Sequence, residues 1–75
     1  MKVIRIADSI ISLEDVRTVR IMQHGTGAKS NPFTSSIHVA YNSGGEDASV
    51  GFVDDATQTK GEEIMNKILN ILSEE

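Results

Sequence analysis

The segment between residues 24 and 35 invites a chemical interpretation more than any other part of the chain. Its residues Gly25-Thr26-Gly27-Ala28-Lys29-Ser30 follow a predicted strand and end in Lys-Ser, as phosphate-binding loops do. Such loops need a glycine directly before the lysine and a helix directly after it, because the helix amides hold the phosphate. Alanine precedes Lys29 here, and Asn31-Pro32 and another strand follow. We therefore predict a flexible hairpin loop, with no more than a weak anion contact at residues 27–30.

The other residues that could do chemistry do not form a catalytic pattern. His24 and His38 lie on different predicted segments, and neither has an acidic partner at a local spacing. Asp54-Asp55 and Glu62-Glu63 are explained by loop solvation and by the favourable charge near a helix N-terminus. No serine stands in a Gly-x-Ser-x-Gly setting, and the chain has no cysteine. We expect a protein that is not an enzyme and that uses no metal or cofactor.

Size and composition narrow the class of protein. The chain has 75 residues, of which 39% are hydrophobic and 24% are charged, and its formal net charge is −4. These values predict one globular domain over residues 1–75. A negative net charge disfavours general attraction to nucleic acid or to an anionic membrane. No apolar run reaches the length of a signal peptide or a membrane span, so we expect a cytoplasmic location.

Alternating apolar residues predict the strands that position these side chains. Residues 2–7 alternate as a first strand, and residues 10–13 return antiparallel to it. A turn at Asp8-Ser9 joins the two strands and sets Ile6 opposite Ile11. One helical turn over residues 13–16 and a further strand through Val19 and Ile21 follow.

The clearest hairpin follows the loop. If Gly44-Gly45 is a two-residue turn, every apolar side chain of one strand meets an apolar partner on the other. The predicted pairs are Tyr41 with Ala48, Val39 with Val50, and Ile37 with Phe52.

The C-terminal segment predicts the only convincing helix. Thr59-Lys60-Gly61-Glu62 has the pattern of a capping box. An apolar stripe at helical spacing follows, and it is widened by Met65 and Leu69. The residues of the stripe are Ile64, Ile68, Ile71 and Leu72. We therefore predict an α+β fold: an antiparallel β-meander of about four to five strands with one amphipathic helix packed on one face.

The sheet face opposite the helix is the predicted interface. In the predicted register His38 lies opposite Gly51 and Ala40 opposite Ser49, so small side chains leave room for a second backbone or a flat ring. An ordinary solvated sheet face is the other interpretation. The predicted interface residues are Val3, Arg5, Arg20, Met22, His38, Ala40, Ser49, Gly51 and Val53.

These surfaces lead to two hypotheses about function. A chain this short buries only about 60–65% of its unfolded surface, and association supplies further burial. We therefore expect a non-enzymatic protein-interaction module that forms a homodimer through the sheet face or an edge strand. Binding of an unidentified protein partner is a further expectation. The alternative is a small regulatory nucleic-acid-binding protein that uses Lys2, Arg5 and Arg20, although aromatic residues for base stacking are missing from that face.

Three groups of residues resemble a known class of proteins. They are Ile11-Ser12-Leu13-x-x-Val16-x-x-Val19, then Ile37-His38-Val39-x-Tyr41-x-x-Gly44, then Ile64, Ile68 and Leu72. Their order resembles that of small, uncharacterised bacterial and phage proteins, and a small flagellar swarming-motility family is similar in layout. The resemblance implies an antiparallel β-meander followed by one helix, and it implies no catalytic or binding residue.

Overall fold

The computed structural model describes residues 2–74 as five strands followed by one helix. The elements are β1 (Val3–Ile6), β2 (Ser9–Ser12), β3 (Val16–His24), β4 (Thr34–Tyr41), β5 (Ala48–Val53) and α1 (Thr59–Ser73). All strand pairs are antiparallel. The predicted α+β class, with antiparallel strands and a C-terminal helix, is confirmed.

The strands form two separate sheets. β1 pairs with β2, while β3, β4 and β5 form a meander in which β4 is central and β3 and β5 are the edges. Along β4 the side chains alternate between a buried face and a partly exposed face, as a sheet covered on one side requires. The helix α1 contacts β1, β3 and β4. It therefore covers part of the meander and also touches the small sheet.

The core lies between the helix and the two sheets. Ile68 is 2% exposed, and Ile64 and Ile71 pack against the same cluster, as predicted. Leu72 differs from the prediction because it stays 37% exposed, while Met65 joins the cluster instead. The buried hydrophobic residues of the described part of the chain are Ile4, Ile6, Ile11, Leu13, Ile37, Val39 and Ile68.

The first hairpin turns one residue earlier than predicted. Its turn is Ala7-Asp8, so Ile6 faces Ser9 and Ile4 faces Ile11. Ala7 has a positive φ of 52°, as tight hairpin turns require. The prediction that Ile6 faces Ile11 is wrong by two residues. A shift of two residues leaves every side chain on its predicted face, because side chains alternate with a period of two.

The second hairpin has the same kind of displacement. Gly44-Gly45 is not a two-residue turn, because β4 ends at Tyr41 and β5 begins at Ala48, which leaves a loop over residues 42–47. Val39 therefore faces Ala48 and Ile37 faces Val50.

A contact outside the hairpin holds this longer loop. The main-chain oxygen of Asp15 accepts a hydrogen bond from the Asn42 amide, and its Oδ2 accepts one from the Ser43 amide, both at 2.9 Å. Asp15 itself has a φ of 59° and lies in a tight turn before β3, so the predicted helical turn over residues 13–16 is absent.

The helix begins differently from the predicted capping box. Its N-cap is Gln58, which has a left-handed φ of 59° and makes no side-chain cap hydrogen bond. Gly61, in the first turn, is buried where α1 meets β3, and a Cβ at this position would collide with the Ile21 side chain. The glycine therefore permits the helix to approach the sheet closely.

Candidate functional site

The outer face of the three-stranded sheet carries seven of the nine predicted interface residues. Strand pairing places them in cross-strand rows. The rows are Thr18-Ala40, Arg20-His38-Ser49, Met22-Ser36-Gly51 and His24-Thr34-Val53. His38 therefore lies opposite Ser49, and Gly51 lies opposite Ser36. The predicted pairs His38-Gly51 and Ala40-Ser49 are wrong, because the hairpin register differs by two residues.

This outer face has no acidic side chain in a chain that has 11 Asp and Glu residues. Arg20, His24 and His38 are its basic or titratable groups, and Met22 and Val53 are exposed apolar groups, at 44% and 64% exposure. Small residues separate them. The face is therefore flat, weakly basic and only sparsely apolar.

The remaining predicted residues lie elsewhere. Val3 and Arg5 belong to β1, in the other sheet, and Arg5 Nε donates to the Ala7 carbonyl at 3.3 Å. Lys2 Nζ donates to the carbonyl of Glu74 at 2.8 Å and to that of Leu72 at 3.5 Å. A cation at this position suits the negative end of the helix dipole. The three cations of the nucleic-acid hypothesis are therefore distributed over two sheets and the end of α1.

An apolar groove between α1 and β3 was missed by the sequence reasoning. Its volume is about 220 Å³, and Arg17 and Thr18 contribute to its lining beside the apolar residues. The apolar lining residues are Val16, Val19, Met65, Ile68, Leu69 and Leu72. Leu69 is 61% exposed here, although it neighbours the buried Ile68.

The groove exists because the helix lies over an edge of the sheet. The first turn of α1 meets the second half of β3, since Gly61 adjoins Ile21, whereas Leu72 lies beside Val16 and Val19. The helix thus runs antiparallel to β3. No strand continues the sheet beyond β3 within the described residues, and Leu69 at the groove is 61% exposed. The signal in the sequence was the apolar stripe widened by Met65 and Leu69.

The most connected polar cluster holds the helix N-terminus. Asp54 Oδ1 accepts from the Lys60 amide and Asp54 Oδ2 from the Gly61 amide, both at 3.0 Å. Asp55 Oδ1 accepts from the Thr59 amide at 2.9 Å. These bonds satisfy the amides that the first turn of a helix leaves without partners. The carboxylates of the two aspartates, and not the side chains of Thr59 and Glu62, therefore cap the first-turn amides of α1, whose N-cap position is Gln58.

The same bonds set the protonation of both carboxylates. Desolvation alone raises the pKa of Asp54, but hydrogen bonds from the buried Ser35 hydroxyl and from three amides outweigh it and lower that pKa below its usual value of 3.8. For Asp55, hydrogen bonds from Thr59 and Thr57 lower the pKa below 3.8. Both groups are acceptors in the charged form, which suits a cap and not an acid catalyst.

The backbone of the loop between β3 and β4 forms hydrogen bonds within the loop itself. The amides of Thr26 and Gly27 both donate to the Asn31 carbonyl, at 3.0 and 3.1 Å, and the Asn31 amide donates to the Ala28 carbonyl at 3.0 Å. The loop is therefore internally hydrogen-bonded. The two amides are directed to Asn31 and not to an external anion.

Metal-binding clusters and membrane-spanning helices are two further kinds of site. Residues 2–74 contain no cluster of three or more His, Asp or Glu side chains arranged to hold a metal ion. Within the same residues, no helix combines the length and apolarity needed to cross a bilayer.

No protein-family model, no curated protein and no solved structure matches the chain.

Proposed function

We propose that this chain is a non-enzymatic, cytoplasmic protein-interaction module whose partner is a second copy of itself. The observation that supports this function is the apolar groove beside β3. There Leu69 and Leu72 remain exposed on the helix next to an edge strand with a free side among the described residues. The other exposed large apolar residues of the described part of the chain are Val3 and Ile10 on one face of β1–β2 and Met22 and Val53 on the outer face of the meander, and neither pair lines the apolar groove.

The exposed leucines of the groove contribute to the free energy of association. Burying one leucine side chain fully contributes roughly 1.5–3 kcal/mol. In a dimer with two-fold symmetry each buried residue contributes twice. Because Leu69 is only 61% and Leu72 only 37% exposed in the single chain, their burial in the dimer contributes about 3–6 kcal/mol in total, which is part of the roughly 8 kcal/mol that a micromolar complex needs.

The mass of the protein in solution tests this function. Light scattering over a range of micromolar concentrations should approach twice the chain mass of 8.1 kDa. Leu69→Lys should shift the protein to monomer, because a charged side chain in the groove must be desolvated. Asn70→Lys is the matched control, since it introduces the same charge at the next exposed position of the helix. A monomeric wild type at high micromolar concentration contradicts the proposal.

A second candidate function rests on the outer sheet face. Arg20, with no acidic neighbour on that face, provides a site where nucleic acid could bind through its phosphates. Titration of labelled single-stranded RNA and duplex DNA at low and raised salt tests it. Binding that weakens with salt and is lost in Arg20→Glu supports this candidate. Self-association alone predicts instead that neither nucleic acid binds.

A further inference from the structure

We propose that two copies join through their β3 strands, antiparallel around a two-fold axis near Val19, to form one continuous six-stranded sheet with both helices on the same face. This geometry rests on the proposed function, which requires only that the chain associates with itself. It specifies the surface, the register and the residues that meet.

β3 is the longer of the two edge strands of the meander. β3 has nine residues, with an irregular register between Val16 and Thr18 near its start, and β5, the other edge of the meander, has six. An exposed edge presents backbone donors and acceptors that a second strand can pair. An antiparallel strand paired with its own copy is symmetric, so the same surface serves both subunits. Of the two edges, only β3 adjoins the apolar groove.

The direction of α1 determines how the two helices of a dimer lie. Because α1 runs antiparallel to β3, a two-fold axis perpendicular to the sheet sets the two helices side by side and antiparallel to each other. The grooves then open toward the partner's helix. Leu69 and Leu72 of each copy lie on the side of the helix that faces the axis, and they lose their exposure to water.

The register follows from symmetry and charge. Paired residues in an antiparallel ladder point to the same face of the sheet. At the two-fold axis of two identical strands, one residue must therefore lie directly opposite its own copy. An axis at Arg20 sets two arginines directly opposite each other, which is destabilising. Ile21 lies outside the part of β3 that lines the groove and Thr18 lies on the outer face, whereas Val19 lines the groove from the inner face, so we place the axis there. The two Val19 side chains then lie opposite each other, and Arg20 pairs with the partner's Thr18.

Charge complementarity supports the same register. With the axis at Val19, Arg17 lies near Ile21 of the second copy, displaced from it by the irregular register of β3 between Val16 and Thr18, and Ile21 adjoins the first turn of that copy's helix. Glu62 is exposed in this turn. It precedes Leu69 by seven residues, so both lie on the same side of α1. Arg17 of each copy therefore approaches Glu62 of the other, twice in the dimer.

Single-cysteine variants test the geometry cleanly, because the chain has no cysteine of its own. Under mild oxidation Val19→Cys should form a covalent dimer, since directly opposed residues have the Cα separation that a disulfide needs. Thr18→Cys is the matched control on the same strand. Its copy is displaced by two positions and should cross-link far less. Circular dichroism of each variant before oxidation verifies the fold.

Two further variants separate this geometry from the proposed function. Gly51→Arg, on the outer sheet face, should leave the dimer mass unchanged. Arg17→Glu should raise the dimer dissociation constant several-fold, and the double variant Arg17→Glu, Glu62→Arg should restore it. A dimer that persists without cross-linking at Val19, or that Gly51→Arg dissociates, overturns the β3 geometry and leaves self-association standing. A wild type that is monomeric by light scattering overturns both.

Discussion

Asp54 joins the central strand β4 to the first turn of α1. Its carboxylate accepts from the Ser35 hydroxyl of β4 at 2.7 Å and from two amides of the first turn of α1. Ser35 is fully buried, so its hydroxyl needs this partner. The Asp54 side chain thus positions the start of the helix and also provides the hydrogen-bond acceptor that the buried Ser35 hydroxyl needs.

We expect Asp54→Asn to lower the melting midpoint at neutral pH and to reduce the loss of stability in acid. The folded-state pKa values of Asp54 and Asp55 lie below 3.8. Their contribution is therefore present above pH 3.8 and is lost as the pH falls below it toward the folded-state pKa values. Thermal melts over this range measure the effect, with Asp47→Asn in the exposed loop as the control. Identical pH profiles for wild type and Asp54→Asn contradict this assignment.

The two glycines of the second hairpin should respond differently to substitution. Gly44 has a φ of +78° and open space around the point that a Cβ would occupy, whereas Gly45 has equally open space and no positive φ. Gly44→Ala should cost about 1–2 kcal/mol, because an L-residue is strained in the left-handed region. Gly45→Ala should change the free energy of unfolding by less than about 0.5 kcal/mol. Equal losses in urea unfolding would show that the loop has another conformation.

At the scale of elements, adjacent residues of α1 separate core packing from interface packing. Ile68→Ala should cost about 2–5 kcal/mol of unfolding free energy, because Ile68 is buried. Leu69→Ala should cost less than about 0.5 kcal/mol at concentrations low enough to keep the chain monomeric. Denaturant unfolding of both variants measures the difference. Similar losses would mean that the helix docks through a different face.

The sequence predicted which face each side chain takes but not the register. Alternation identifies the inward residues Ile4, Ile37 and Val39, and each of them is buried. The register of each hairpin depends on the conformation of its turn. The alternation of apolar and polar residues does not determine the conformation of either turn. The first turn uses Ala7 at positive φ, and the second is held by Asp15, which is distant in sequence. A displacement of two residues preserves the faces, so the alternation pattern alone does not reveal it.

The caps and the groove escaped prediction for a related reason. The capping box matched at Thr59 because that pattern is local, whereas the true caps, Asp54 and Asp55, reach the first turn from the preceding link. The groove depends on which strand becomes the edge beneath the helix. That strand is β3, and its position follows from the order of the sheet and not from the apolar stripe of α1 alone.

At the scale of the molecule, association should couple stability to concentration. A partner that binds only the folded chain stabilises it by mass action. The melting midpoint of the wild type should therefore rise with protein concentration, and that of Leu69→Lys should not. Scanning calorimetry at several concentrations measures this dependence, with Asn70→Lys as the control that retains it. A wild-type midpoint independent of concentration, at concentrations where a dimer is expected, argues against a folded dimer.

Sedimentation equilibrium of the wild-type chain tests self-association most directly, because it yields mass without reference to shape. We expect the weight-average mass to rise with concentration from that of one 8.1 kDa chain toward that of two. Leu69→Lys should remain at the mass of one chain over the same range. A wild type that stays at the mass of one chain up to high micromolar concentration, while still folded, would contradict self-association.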